Sequence, residues 1–446
     1  MRMSSVPQTT TPGSSQAEER RLLHRVPGGT QLLSKRPEQF APGQWPRFAS
    51  HARGVEVWDR SGRRYLDMSL TGIGTCSLGF ADEDVNAAVH AAVDRGSMTT
   101  LNCVEDLELA DLLVELHPWA EMVRYARSGG EALAIAVRLA RAATGRSVVT
   151  FCGYHGWHDW YVSANLADRR ELDGHLLPGL EPLGVPHELR STAVPFQYNE
   201  LDDLERVVAE HGDQLAAIVM EPVRSSNPAP GFLEGVRRIA DRSGAVLIFD
   251  EVTSALRLNT GGAHLTYGVN PDVAVFAKAL SNGYPMAAVI GIGSVMECAQ
   301  RSFVSSTYWT ELIGPTAALA TLRKHRALDV GPRLVAIGTR VQRGWLDAAA
   351  SAGLAIHVSG IPPLSHLSFD ELPQPSATLY TQLMLDRGFL AGKAFYASYA
   401  HEDTVVESYL EAVHECFRII VEAQRNDAVL SQLRGPVAQT GFARLT

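Results

Sequence analysis

Two apolar runs in this chain end on residues that could serve one chemistry. Ala245 to Asp250 (AVLIFD) closes on a carboxylate pair, Asp250 and Glu251, and Asp272 to Lys278 (DVAVFAK) closes on an amine. Burial weakens a lysine's preference for its charged form, which makes the amine a nucleophile toward aldehydes. A carboxylate at a strand end can hold a protonated ring nitrogen. A pyridine aldehyde cofactor needs both partners. Each residue also has an ordinary reading: a lysine can snorkel from a strand end, and an aspartate there can cap a loop or helix. Scarcity favours the chemical reading of the lysine. The chain has only Lys35, Lys278, Lys324 and Lys393 among its 40 basic residues.

Two further segments add groups to this pair. Ser128-Gly129-Gly130-Glu131 opens an alanine-rich stretch. The free N–H groups and dipole of a helix start attract an anion, and glycines allow a phosphate to come close. The same letters also suit a loop with an N-cap. Phe151 to Asp159 (FCGYHGWHD) follows an apolar run, so Tyr154 could stack on a flat ring. His155 and His158 lack a third ligand at metal-binding spacing, so a core or carboxylate-bonded histidine is expected and no metal.

The elements that must position these residues are legible as periodicity. Short apolar runs recur at Ser147–Phe151, Ala216–Met220, Ala245–Phe249, Val273–Ala277 and Ala287–Gly291, as strands buried on both faces do. Helical patterns at Glu131–Ala143, Leu201–His211 and Leu233–Ser243 alternate with them, which predicts an α/β domain with a mostly parallel sheet. In such sheets ligands sit at the carboxyl ends of strands, where Asp250 and Lys278 fall. Val55 to Met68 reads as a hairpin. His158 to Arg190, rich in Gly and Pro, reads as a lid or binding loop. Helix follows Pro332, Phe389 to Tyr399 suggests strand, and Glu402 to Arg425 a closing helix. At 446 residues the chain suits two domains. The expected division is an unstructured tail over residues 1–25, a segment 26–75 that joins the small domain, a large domain over 76–330, and a small domain over 331–446.

Composition bounds the function. A formal charge of −9 argues against non-specific binding to nucleic acid or to anionic membranes. No apolar run is long enough to span a bilayer, and residues 1–17 lack a signal-peptide core. Five scattered cysteines form no CxxC motif, which points to a reduced, cytoplasmic setting.

Taken in order, the blocks resemble the class III aminotransferases, fold-type I pyridoxal-phosphate enzymes, with the glutamate-1-semialdehyde aminomutases and their aminotransferase relatives nearest in pattern. The matching blocks are Met122–Ala132 (MVRYARSGGEA), Gly153–Asp159, Glu221-Pro222, Gly231–Leu233, Phe249–Arg257 (FDEVTSALR), Gly268–Asp272 with Lys278, and Ser306-Thr307. The resemblance implies a large domain with a mostly parallel sheet flanked by helices, plus a smaller α+β domain. It implies that Lys278 binds the cofactor as a Schiff base and shuttles a proton, and that Asp250 pairs with the ring nitrogen. Val252 and Tyr154 would flank the ring, with His155 beside it. Ser128, Gly129 and Gly130 would hold the phosphate. Glu221 resembles the family's acid beside the cofactor; the family's asparagine position falls on Ser226, with Asn227 one later, and either is placed to approach the ring hydroxyl. Thr307 would reach the phosphate of a neighbouring subunit, which implies a homodimer with shared active sites. Arg36 and Arg257 are the candidates for a substrate carboxylate.

The chain departs from the family's pattern where Gly130 stands in place of a threonine, and Ser163–Asp168 lacks the Gly-Ser-rich run of the aminomutases. The expected activity is transfer of an amino group from an amino acid donor to a keto or aldehyde acceptor. An intramolecular aminomutase using the same residues is the alternative, and a non-catalytic cofactor-binding protein ranks below both.

Overall fold

Five buried apolar strands form the middle of a seven-stranded sheet. The computed structural model describes residues 14–441 apart from 169, 176, 177 and 224. The strands, in chain order, are β1 (Met122–Ala126), β2 (Val148–Cys152), β3 (Ala193–Pro195), β4 (Leu215–Met220), β5 (Val246–Asp250), β6 (Val273–Phe276) and β7 (Ala287–Gly291). Their spatial order is β1-β7-β6-β5-β4-β2-β3. The ladder from β3 through β6 is parallel, and β7 runs against both of its neighbours. The fold is therefore fold-type I-like: a large, mostly parallel sheet with helices on both faces and a smaller α+β part.

Alternate residues of each strand enter different cores. Val246 and Ile248 of β5 pack under the helix Gly129–Thr144, whereas Leu247 and Phe249 pack under Leu201–His211 and Phe232–Ser243. Burying a side chain such as Phe249 stabilises the fold by about 1.5–3 kcal/mol. Both faces are filled this way, so the strands read as continuous apolar runs rather than as alternation. β1 escaped that signal because MVRYA carries Arg124 and Tyr125 at the edge of the sheet, and β3 has only three residues.

The remaining α+β part packs three long helices, Val330–Ala352, Pro373–Asp386 and Asp403–Arg425, around Trp345, Tyr380, Tyr409 and Phe417. The predicted hairpin is present as Glu56–Asp59 and Arg64–Asp67. Arg64–Asp67 also pairs in parallel with Phe389–Leu390, so the N-terminal segment and the C-terminal part share one sheet. One expectation needs correction. Ser14–Arg25, placed in an unstructured tail over residues 1–25, is a helix. Its sequence is rich in helix formers, and it is anchored by Glu19–Arg47 at 2.8 Å and Glu18–Arg60 at 3.2 Å. Residues 1–13 lie outside the described residues. Among the described residues from His158 to Arg190 the chain forms only short helical turns, such as Asp159–Val162 and Ser163–Leu166.

Several histidines are buried within this frame. Burial lowers His117, His325 and His401 to about 4. An unfolded chain takes up protons at these positions below pH 6.5, whereas the folded chain does not until near pH 4. Acid therefore favours the unfolded state across that window. Urea unfolding at stepped pH should show stability falling steeply from pH 6.5 toward 4. A flat profile would contradict the burial of these rings.

Candidate active site

The sheet brings the chemistry-bearing residues to the carboxyl ends of its strands. Asp250 ends β5, and Lys278 follows β6 by two residues. The two strands are neighbours, with Asp250 opposite Val275. Tyr154 and His155 follow β2, Glu221 follows β4, and Ser128 follows β1. A cavity of about 520 Å³ opens among them. Its lining includes Ser128, Gly129, Gly130, Tyr154, His155, Asp250, Val252 and Lys278.

Asp250 is 2% exposed. Its Oδ2 lies 2.8 Å from His155 Nδ1, and its Oδ1 accepts the Val252 N–H at 3.0 Å. The other ring nitrogen of His155 faces the Cys152 carbonyl at 3.1 Å. Both ring nitrogens thus have a partner within hydrogen-bond distance. This arrangement fixes the carboxylate's direction. Lys278 holds a left-handed backbone, φ 49°, a conformation costing a non-glycine residue about 1–2 kcal/mol. Its Nζ donates to Thr253 Oγ1 at 2.8 Å. Strain at this one residue turns the chain sharply from β6 into the helical turn Lys278–Ser281.

The helix Gly129–Thr144 starts with a capping box: Glu131 accepts the Ser128 N–H at 3.0 Å, and Ser128 Oγ accepts the Glu131 N–H at 3.5 Å. The first N–H groups of the helix have no intrahelical acceptors. A Cβ on Gly129 would lie 3.0 Å from both Val252 methyl groups, so Val252 rests directly on this helix end. Gly153 stands at φ 115°, where a side chain is strained, and a Cβ there would lie 2.7 Å from Glu221 Oε2.

The other sequence candidates fall elsewhere. Glu221 accepts the Tyr154 N–H at 3.2 Å and lines a second, smaller cavity that Tyr154 also borders. Asn227 is exposed, and its Oδ1 accepts from Tyr267 at 2.9 Å. Thr307 is exposed at the start of a helical turn. Arg257 is 1% exposed and donates to the Gly74 and Thr253 carbonyls. Burial lowers its pKa to about 10, so it remains a cation at neutral pH. Arg36 lies two residues beyond Ser34, which is on the cavity wall with Leu32 and Leu33.

Sequence reasoning missed several lining residues. Thr253 stands beside Val252 in the Phe249–Arg257 block, and a hydroxyl three residues past the strand-end acid was the available signal. Ile73, Tyr284 and Tyr396 also line the cavity. They come from distant segments and carried none. Among the described residues no group of three or more His, Cys, Asp or Glu could hold a metal ion, and no helix is long and apolar enough to cross a membrane.

This donor set fits pyridoxal 5′-phosphate. It offers an amine, an oriented carboxylate, a glycine-lined helix end for an anion, and Val252 and Tyr154 as walls for a flat ring. Comparison with known proteins agrees. Residues 40–360 match the family described as Aminotransferase class-III. The chain is 32% identical over 407 residues to 3-aminobutyryl-CoA aminotransferase of Cloacimonas acidaminovorans, covering 87% of this chain and 93% of that one. It is 33% identical over 416 residues to glutamate-1-semialdehyde 2,1-aminomutase of Syntrophobacter fumaroxidans, covering 88% and 94%. Among solved structures, an omega-transaminase from Sphaerobacter thermophilus superposes with a TM-score of 0.80 at 25% identity, covering 92% of this chain and 98% of that one. With its site residues, its fold and these relatives in agreement, the chain belongs to the class III aminotransferases, enzymes that work with pyridoxal phosphate.

Proposed function

We propose that the cavity transfers an amino group from an amino acid donor to a keto or aldehyde acceptor. One observation carries this reading: Lys278 and Asp250 leave adjacent strands and line the same cavity. When bound, the cofactor supplies an aldehyde that condenses with amines and a ring that accepts the electron pair left by a departing Cα proton.

The chain's own residues do the rest. Lys278 Nζ would hold the cofactor and, when free, would take the proton from the donor's Cα. Thr253 Oγ1 steadies that amine. Asp250 keeps a proton on the ring nitrogen, and His155 fixes the carboxylate's direction. Val252 and Tyr154 hold the ring flat between them, and Glu221 orients Tyr154 through its backbone. Ser128, Gly129 and Gly130 bind the phosphate. Arg257 positions the Gly74 segment, whose neighbours Ile73 and Thr75 line the cavity. Arg36, near the rim, is the candidate for a substrate carboxylate.

A homodimer with shared sites also belongs to this reading, with Thr307 reaching the neighbour's phosphate. Supporting it, Leu101, Phe303 and Tyr308 are 80%, 88% and 71% exposed, a costly state for apolar side chains on a free surface. The five unpaired cysteines support a reduced, cytoplasmic setting.

A screen of amino donors and acceptors, followed at the cofactor's absorbance and by keto acid release, tests the reading. Keto acid should appear with a subset of donors. Turnover of an amino aldehyde without external donor, with no keto acid from any amino acid, would make the chain an aminomutase instead.

A further inference from the structure

Beyond the cofactor's partners, much of the cavity wall is apolar. Leu32, Leu33, Leu70, Ile73, Tyr284 and Tyr396 line it. Tyr284 commits its hydroxyl to Asn86 Oδ1 at 2.8 Å, so its ring is what remains for a ligand. Among the described residues, the wall's charged and imidazole side chains are already engaged. Lys278 and Asp250 serve the cofactor, His155 lies 2.8 Å from Asp250, and Arg127 is paired with Glu311 at 2.8 Å. Arg36 stands outside the wall, and the buried Arg257 donates to the Thr253 and Gly74 carbonyls. A substrate with one carboxylate can use Arg36 at the rim. A second carboxylate would enter among apolar side chains without a cation, and a buried unpaired charge is costly.

One stretch of this wall is held in a conformation that its sequence disfavours. Thr71, Gly72, Ile73 and Gly74 have φ of 41°, 67°, 60° and 78°, a left-handed turn. Glycine adopts it freely, whereas β-branched threonine and isoleucine rarely do. Neighbours hold it there. Thr71 Oγ1 donates to the Tyr396 carbonyl at 2.8 Å, Thr75 Oγ1 to the Gly72 carbonyl at 2.9 Å, and Arg257 to the Gly74 carbonyl. Strain of this kind persists only where the surroundings enforce it, and it gathers at ligand sites. Here the turn sets Ile73 on the cavity wall.

We propose that this wall receives an apolar alkyl or aryl group of the amino substrate, and that Ile73 limits the size of that group. The inference rests on the aminotransferase reading above. It divides substrates by the group they carry beside the amine: apolar groups enter, and acidic groups of the same shape are turned away.

The test uses the holoenzyme and single half-reactions, read as loss of the lysine-bound cofactor's absorbance and release of keto product. Donors are paired by shape: leucine with aspartate among α-amino acids, and β-homoleucine with β-glutamate among β-amino acids. In whichever pair reacts, the apolar member should react at least about a hundredfold faster. Ile73→Ala should raise the rate with phenylalanine or β-homophenylalanine about tenfold relative to the smaller apolar donor of the same class. Alanine also suits the left-handed turn better than isoleucine does, so the variant should fold. An acidic donor as fast as its apolar partner overturns the substrate class. Unchanged size selectivity in Ile73→Ala overturns the role of Ile73. No keto product from any donor, with cofactor bound, would instead sink the aminotransferase reading and this inference with it.

Discussion

Lys278→Ala should lose the absorbance of lysine-bound cofactor and slow amino transfer by at least about a thousandfold, because the variant lacks both the attachment point and the group that moves the Cα proton. The protein should still fold. Lys278 is only partly buried at the cavity wall, and alanine at φ 49° bears much the same backbone strain that lysine does. Its unfolding midpoint in urea should therefore lie close to that of the wild-type chain stripped of cofactor. Lys278→Gly removes the strain as well, so it should be more stable than Lys278→Ala and equally inactive. Transfer at more than a tenth of the wild-type rate in either variant would contradict the assignment. The other three lysines offer no substitute, since none of them lines the cavity.

Asp250→Asn is the second large effect. Asparagine has the same shape but no charge, so the ring nitrogen loses the group that keeps it protonated. Electrostatic stabilisation in a buried site is worth far more than in water, and its loss should slow the proton-transfer step roughly a thousandfold. Asp250 is 2% exposed, so no solvent charge can replace it. The change also disturbs His155: Nδ1 sits 2.8 Å from Oδ2, and the asparagine amide must keep its carbonyl turned toward that ring. Cofactor should remain bound through Lys278 and the helix end, so its absorbance persists while transfer fails. A variant within tenfold of wild type would remove Asp250 from the chemistry.

Much of this site was legible because its parts sit where regular structure ends. The apolar runs of β2, β4, β5, β6 and β7 were readable since strands buried on both faces tolerate little polarity, and Asp250 and Lys278 stand out at their ends. The glycines at positions 129 and 130 marked the helix start. Other residues carried no local signal. Arg257 sits in a matching block, yet its direction depends on Gly74, 183 residues away in sequence, whose carbonyl it meets. Ile73, Tyr284 and Tyr396 become cavity walls through packing that no periodicity encodes. The helix Ser14–Arg25 was hidden because its anchors, Arg47 and Arg60, lie in another segment. For His158 the sequence supports only a core or carboxylate-bonded histidine. Its position against Gly130 depends on how the loop after β2 packs against the start of the helix, which no local pattern encodes.

The account's central claim is that Lys278 holds the cofactor and yields it to an amino donor. Borohydride reduction followed by peptide mapping tests this directly, because it fixes the cofactor to whichever lysine holds it. Before donor is added, the label should lie on the peptide containing Lys278 and not on those containing Lys35, Lys324 or Lys393. After an amino donor identified by the screen is added without acceptor, that label should vanish and about one equivalent of keto acid per chain should appear in solution. A label on another lysine, or one on Lys278 that no donor displaces, would contradict the account.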